Sequence, residues 1–191
     1  LSHGADYIVA HNLDSGSEIW RRGKLNLKSN YDRTLRFVAS PACADGIIVV
    51  PSAKRAPCFA LKPDGQGDLT ESEDRVLWTR EKTPDVPSPL IVDDLVYLCM
   101  QDGNLYCVDR ATGEEYYYER TERQRHRASP VYADGHIYLT ARNGVVSVVK
   151  AGRKFELVSK NAIEESLSAS PAISNGTIYL RSFNALWAIR K

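Results

Sequence analysis

The densest run of groups able to bind or react is "ERTERQRHR" at 119–127, where Arg120, Arg123, Arg125, His126 and Arg127 stand against Glu119 and Glu122. A guanidinium presents a planar fork of N–H donors that matches a carboxylate or a phosphate. Further cations fall at Arg142, at Lys54-Arg55, at Arg181, and at Arg33 and Arg36. If the fold gathers them, they form a basic patch that grips an acidic partner or an anionic ligand. The other reading is a solvated loop whose charges keep the surface soluble, as most charge runs do. Both stay open on the sequence.

The remaining reactive residues form no constellation. His3, His11, His126 and His136 do not pair at metal-ligand spacing. Cys43, Cys58, Cys99 and Cys107 lie eight or more residues apart, so there is no CxxC and no vicinal pair. They read as small apolar residues in strands, with a Cys43–Cys58 bridge inside one sheet as the alternative. No Gly-x-Ser-x-Gly elbow is present, and "DGQGD" lacks the following Lys-Ser/Thr of a phosphate loop. No catalytic residue and no metal ligand is therefore expected. The composition is 43% hydrophobic and 26% charged with a net charge of +1, which argues against nucleic acid as a partner. No run of eighteen apolar residues is present, so no membrane-spanning helix is expected. The chain opens on Leu1 without the regions of a signal peptide, which suggests a removed leader or a piece of something longer.

What must position these groups is a repeat. "SPVYADGHIYL" at 129–139 and "SPAISNGTIYL" at 170–180 agree at Ser, Pro, Gly, Ile, Tyr and Leu. Ser-Pro recurs four times, with Pro41, Pro89, Pro130 and Pro171 spaced 48, 41 and 41 apart. Four residues after each Pro stands Asp45, Asp93, Asp134 or Asn175, followed by Gly46, Asp94, Gly135 or Gly176. Asp-Gly and Asn-Gly specify tight turns because these residues tolerate positive φ. An apolar triplet follows, containing Tyr97, Tyr138 and Tyr179 in three copies. The pattern predicts a strand after the Pro, a hairpin, a second strand, another Gly turn ("QDGN", "RNGV") and a third strand at 105–109, 146–150 or 186–190. "YYY" at 116–118 and "RVLW" at 75–78 supply fourth strands. Four antiparallel strands in about 41 residues make one β-propeller blade.

The whole chain (1–191) is thus expected to be one all-β propeller segment. Its units are the end of a blade (1–22), blades at 36–80, 86–119 and 127–160, and an incomplete last blade at 168–191. About 4 to 4.5 blades are present. The insertion at 62–75 reads as a polar surface loop, and the link at 21–38 as a loop or short helix. Trp20, Trp78 and Trp187 fall at strand positions, where packing between blades is their expected role.

The pattern of Ser88, Pro89, Asp93, Tyr97, Leu98, Gly103, Leu105, Tyr106, Asp109, Thr112 and Gly113 resembles the pyrroloquinoline-quinone-type (PQQ-like) β-propeller repeat. Ala10, Gly16 and Trp20 resemble its tryptophan-docking pattern, with Asn12 where Asp is usual and Tyr117 in place of Trp in the next unit. The longer stretches are similar to the propeller lipoprotein of the outer-membrane assembly machinery (BamB). The resemblance implies a propeller of seven or eight blades, of which this would be the C-terminal half, with further blades elsewhere in the full-length protein. It implies a periplasmic, cell-envelope or extracellular setting. It also implies a non-catalytic scaffold that binds a protein or polysaccharide partner through loops on one face. The alternative is part of a quinone-dependent dehydrogenase with its site in missing blades, or a binding module appended to another enzyme. A quinone cofactor enters only through the family's name, and no cofactor is predicted. The vicinal disulfide, the calcium site of Glu, Asn and Asp, and the catalytic Asp of those dehydrogenases have no counterpart in this sequence.

Overall fold

The computed structural model describes residues 1–4, 6–26, 36–44 and 46–190. Asp45, Arg33 and the middle of the 21–38 link lie outside the described residues. The strands form five sheets, numbered here as blades I to V. Blade I contains β1 (Ser2–Gly4), β2 (Tyr7–His11) and β3 (Glu18–Arg22). Blade II follows with β4 (Ala42–Ala44), β5 (Ile47–Val50), β6 (Cys58–Leu61), then β7 (Gly67–Asp68), which leaves it for blade I, and β8 (Val76–Arg80). Blade III is β9 (Leu90–Val92), β10 (Leu95–Cys99), β11 (Asn104–Asp109) and β12 (Glu115–Arg120). Blade IV is β13 (Val131–Ala133), β14 (His136–Thr140), β15 (Val145–Lys150) and β16 (Leu157–Ala162). Blade V has β17 (Ala172–Ser174), β18 (Thr177–Arg181) and β19 (Leu186–Arg190). The pairing is an antiparallel meander in order of sequence, apart from β7. One 3-10 turn, Glu73–Arg75, is the only helical element among the described residues. The chain is a partial propeller of four-stranded blades.

Local chemistry explains the hairpins. Asp134 (φ 46°) and Gly135 (φ 72°) both adopt positive φ, as do Asn175 (50°) and Gly176 (71°). This double left-handed geometry matches the twist of the flanking strands. Each Pro sits immediately before a first strand, where no ladder N–H is required of it. At the third-to-fourth-strand turn, Asp109 Oδ1 accepts from the backbone N–H of Ala111 and Thr112, both at 2.9 Å, and from Thr112 Oγ1. Those bonds hold the Asp109 carboxyl below the usual range. Asn12 Oδ1 makes the same set with Asp14, Ser15 and the Ser15 hydroxyl, so an amide serves where the repeat elsewhere uses a carboxylate.

Packing follows from strand alternation. In β10 every residue is buried: Leu95, Tyr97 and Cys99 enter the cluster shared with blade IV, while Val96 and Leu98 enter the one shared with blade II. A central blade therefore reads as a continuous apolar run because both its faces are covered. Tyr97, Tyr138 and Tyr179 occupy the same register, opposite Leu90, Val131 and Ala172. Tyr97 is fully buried, and Tyr138 and Tyr179 are half-buried. On blade V the β19 side chains Leu186, Trp187 and Ile189 are exposed.

Two devices tie blades together. Trp20 donates from its indole N–H to Pro63 O (2.9 Å), and Trp78 donates to Arg110 O (2.8 Å). The Trp78 ring lies against Gly113, where a Cβ would come within 2.6 Å of it. The second device is a serine ladder. The backbone N–H of Ser40 donates to Ser88 Oγ, Ser88 to Ser129 Oγ, and Ser129 to Ser170 Oγ, at 2.9–3.0 Å. The repeated serine is thus a blade-to-blade fastener.

The 62–75 insertion does more than loop over the surface. Its β7 pairs in parallel with β3, Leu69 N–H donates to Arg21 O, and Gly23 N–H donates to Thr70 Oγ1. Arg22, nearly buried, donates to Leu69 O at 3.0 Å. The expectation of a plain surface loop is corrected here: the segment supplies an added outer strand to the preceding blade.

Candidate functional site

One face of the segment is built from the second-to-third-strand turns and the links between blades, stitched together by backbone hydrogen bonds. Thr121 N–H donates to Gly103 O (2.9 Å) and His126 N–H to Gln101 O (3.0 Å), pinning the 119–127 run to the turn of its own blade. Arg142 N–H donates to Arg125 O (2.9 Å), pinning the same run to the next blade. Leu25 O accepts from Ala53 N–H in the equivalent place between blades I and II. Ile163 N–H donates to Gly144 O after blade IV. The links approach so closely that a Cβ on Gly103 would sit 1.8 Å from Glu122 O, and one on Gly144 would sit 2.0 Å from Ile163 O.

On this scaffold Arg123, Arg125 and Arg127 are exposed, and no ion pair among the described residues engages them. Arg120 is exposed and donates from Nε to Asn104 Oδ1 at 3.3 Å. Arg142 is half-buried, and its carbonyl accepts from Ser166 Oγ. The negative charge nearest in sequence is partly spent: Glu122 pairs with Lys160 at 3.1 Å. His126 differs from its neighbours. It is fully buried, its Nδ1 is 2.9 Å from Gln124 O, and burial lowers its pKa despite that bond. It is neutral near pH 7 and adds no charge to the rim. Arg55, with φ 71°, is exposed, and Lys54 lies 3.8 Å from Asp85.

A second feature of this face was not legible in the repeat. A cleft of about 490 Å³ opens between blades II and III, bounded by Lys54, Lys82, Asp85, Gln101 and Tyr118 among others. Its inner residues come from the 81–85 link, which the repeat treats as spacer, so no motif pointed to them.

The four cysteines are free, with Cys43 exposed and the other three buried. Burial pushes the Cys107 thiol up to about 11 and Cys58 to about 12, so neither is a thiolate at neutral pH. Among the described residues no three His, Cys, Asp or Glu converge to hold a metal ion, and no helix is long and apolar enough to cross a membrane.

The family model described as outer membrane protein assembly factor BamB matches residues 5–119. The chain belongs to this family. No curated protein sequence matches it. Among solved structures, BamB from Moraxella catarrhalis superposes with a TM-score of 0.75 at 16% identity, over 97% of this chain and 53% of that one. The computationally designed Ika4 protein gives 0.62 at 13% identity over 80% of this chain and 91% of its own. A europium-containing methanol dehydrogenase gives 0.52 at 14% identity over 67% of this chain and 25% of that enzyme. At such identities the likeness is one of fold. This BamB-like chain spans about half the length of the Moraxella protein. Within this segment there is no vicinal cysteine pair, and among the described residues Asp93 and Asp134 lie in hairpin turns at positive φ, set there by geometry, so these residues do not themselves form a quinone site.

Proposed function

We propose that the chain is a non-catalytic binding scaffold whose link-and-turn face docks an acidic protein surface outside the cytoplasm. One observation carries this reading: Arg123, Arg125 and Arg127 project, without ion-pair partners among the described residues, from a link held at both ends by backbone hydrogen bonds. A rigid platform lowers the ordering cost of binding, and unpaired guanidinium forks suit carboxylates. Membership in the BamB-like family supports the envelope setting. The exposed apolar side chains of blade V, the serine ladder ending at Ser170 and the half-length match to BamB support further blades flanking this segment in the full-length protein.

The test is fluorescence anisotropy with a labelled octaglutamate peptide. Binding should weaken roughly tenfold when Arg123, Arg125 and Arg127 are replaced by Ala, because exposed charges contribute about 0.5 kcal/mol each. It should also weaken on raising the salt from about 50 to 300 mM, a range over which exposed charges become screened. A variant that binds as the parent does would refute the assignment.

A further inference from the structure

The chain already carries one added outer strand, and blade IV offers the place for another. β7 extends blade I by pairing in parallel with β3, Trp20 opposite Gly67 and Arg21 opposite Asp68. Leu69 N–H donates to Arg21 O at 2.8 Å, and Thr70 Oγ1 accepts from Gly23 N–H. The Leu69 side chain, half-buried, packs against the cluster between blades I and II that contains Ile8, Ala10, Trp20, Ile48, Val50 and Leu61. The segment is thus held by its backbone along a strand edge and by one aliphatic side chain in the seam between two blades.

Blade IV has the same frame without the added strand. β16 is the outermost strand of its sheet, and five of its six residues are exposed. An exposed edge strand leaves a row of backbone groups open to pairing. The register makes the two blades equivalent residue by residue. In blade I, Ile8 pairs with Arg22 and Ala10 with Trp20, and the register shifts after Ala10. In blade IV, Val146 pairs with Asn161 and Val148 with Ser159, and the register shifts after Val148. Across the seam, the pairs Ile48–Leu61 and Val50–Phe59 of blade II correspond to Ile178–Ile189 and Leu180–Trp187 of blade V.

Where blades I and II enclose Leu69, blades IV and V leave an apolar cavity of about 130 Å³. Val146, Val148, Asn161, Ile178, Leu180 and Ile189 line it, in the registers of Ile8, Ala10, Arg22, Ile48, Val50 and Leu61. Asn161, Ala162 and Ile189 are exposed, so the cavity is reached from solvent. Apolar cavities of roughly 150 Å³ accept a benzene-sized guest, so a leucine side chain fits. Ser159 stands in the register of Trp20, Trp78 and Tyr117, so β16 brings no ring of its own to this seam. Lys160 takes the register of Arg21, which puts a cation opposite the position that Asp68 holds in β7.

We propose that the outer edge of β16 binds an extended polypeptide segment as an added parallel strand, with an aliphatic side chain in the cavity between blades IV and V and a carboxylate beside Lys160. The partner chemistry is that of 67–70, Gly-Asp-Leu-Thr, in which an acid precedes a leucine. The site uses none of Arg123, Arg125 and Arg127, and it stands or falls independently of the docking on the link-and-turn face.

The experiment is a ¹H–¹⁵N titration of the 191-residue chain with the capped peptide GQGDLTE, the sequence of 65–71, and with GQGDATE. The expected result is saturable amide shifts at 157–162, 178–180 and 189, with about tenfold weaker binding of the alanine peptide, because less apolar surface is buried. Lys160→Pro should abolish these shifts: its counterpart Arg21 faces the added strand, and proline is tolerated on an edge but blocks pairing there. Ala162→Phe, which sets a ring at the exposed mouth of the cavity, should remove the difference between the two peptides. Replacing Arg123, Arg125 and Arg127 by Ala should leave the shifts at β16 unchanged. If Lys160→Pro does not fold, Ala162→Phe decides. No saturable shift at β16, shifts confined to 120–127 or to 20–23, equal affinity for the two peptides, or an undiminished difference in Ala162→Phe would each overturn the proposal.

Discussion

Replacing Gly103 by Ala tests how the link-and-turn face is held. Gly103 has φ +89°, a conformation that costs an L side chain about 1–2 kcal/mol. Its new Cβ would also lie 1.8 Å from Glu122 O and 3.0 Å from the Glu122 carbonyl carbon. These are backbone atoms, so the whole link must move. Movement breaks the bonds that Thr121 makes to Gly103 O through its N–H and hydroxyl, both 2.9 Å, and strains His126 N–H to Gln101 O. At about 1 kcal/mol per bond, the total loss comes to about 4 kcal/mol. Gly135 is the control. Its φ is +72° and a Cβ there would meet nothing within 4 Å, so Gly135→Ala should lose only the backbone term of about 1–2 kcal/mol. The assay is urea unfolding followed by tryptophan fluorescence. Losses for the two variants within about 1 kcal/mol of each other would refute the claim that the link and turn are in obligatory contact. Gly144→Ala, whose Cβ would meet Ile163 O at 2.0 Å, should behave like Gly103→Ala.

Other consequences are quickly checked. Ser129→Ala removes the acceptor for Ser88 N–H and should lower stability by about 1 kcal/mol in the same assay, whereas an unchanged midpoint would leave the serine ladder without energetic weight. Ellman's reagent should titrate one thiol, Cys43, in the native chain and four after denaturation; fast reaction of a second thiol in the folded state would contradict the burial of the other three. His3 and His126 have pKa values lowered by burial, so the unfolded chain takes up protons at a higher pH than the folded one. Their contribution to stability is complete above about pH 6.5 and is lost as pH falls through the depressed folded values, at about 1.4 kcal/mol per unit of depression. His126→Gln should flatten part of that decline between about pH 7.5 and 5.5, and an equally steep decline would show that His126 does not carry it.

The blade plan was legible because each of its signals is local. Ser-Pro, the Asp-Gly and Asn-Gly turns and the Ile-Tyr-Leu triplets act within a dozen residues, and the structure forms hairpins there. The features that were not legible are relations between blades. Nothing in "DGQGD" says that Gly67 and Asp68 will pair with Trp20 and Arg21 of the preceding sheet. His126 sits among arginines in a charged run, yet it bridges Ala141 and is buried, because the register of the link against the next turn points it inward. β16, "LVSKNA", has no aromatic signature and is recognisable as a strand only from its pairing with β15. The cleft is hidden in the sequence for the same reason: Asp85 and Tyr118 are separated by a whole blade along the chain and line one cleft only once blades II and III pack.

The central claim is that partners bind the link-and-turn face. Backbone amide shifts of the ¹⁵N-labelled chain during titration with octaglutamate test it most directly. The predicted result is salt-dependent shifts at 120–127 and 142, with none at the opposite hairpins 93–94, 134–135 and 175–176. Shifts centred on those hairpins, or none at either place, would contradict it.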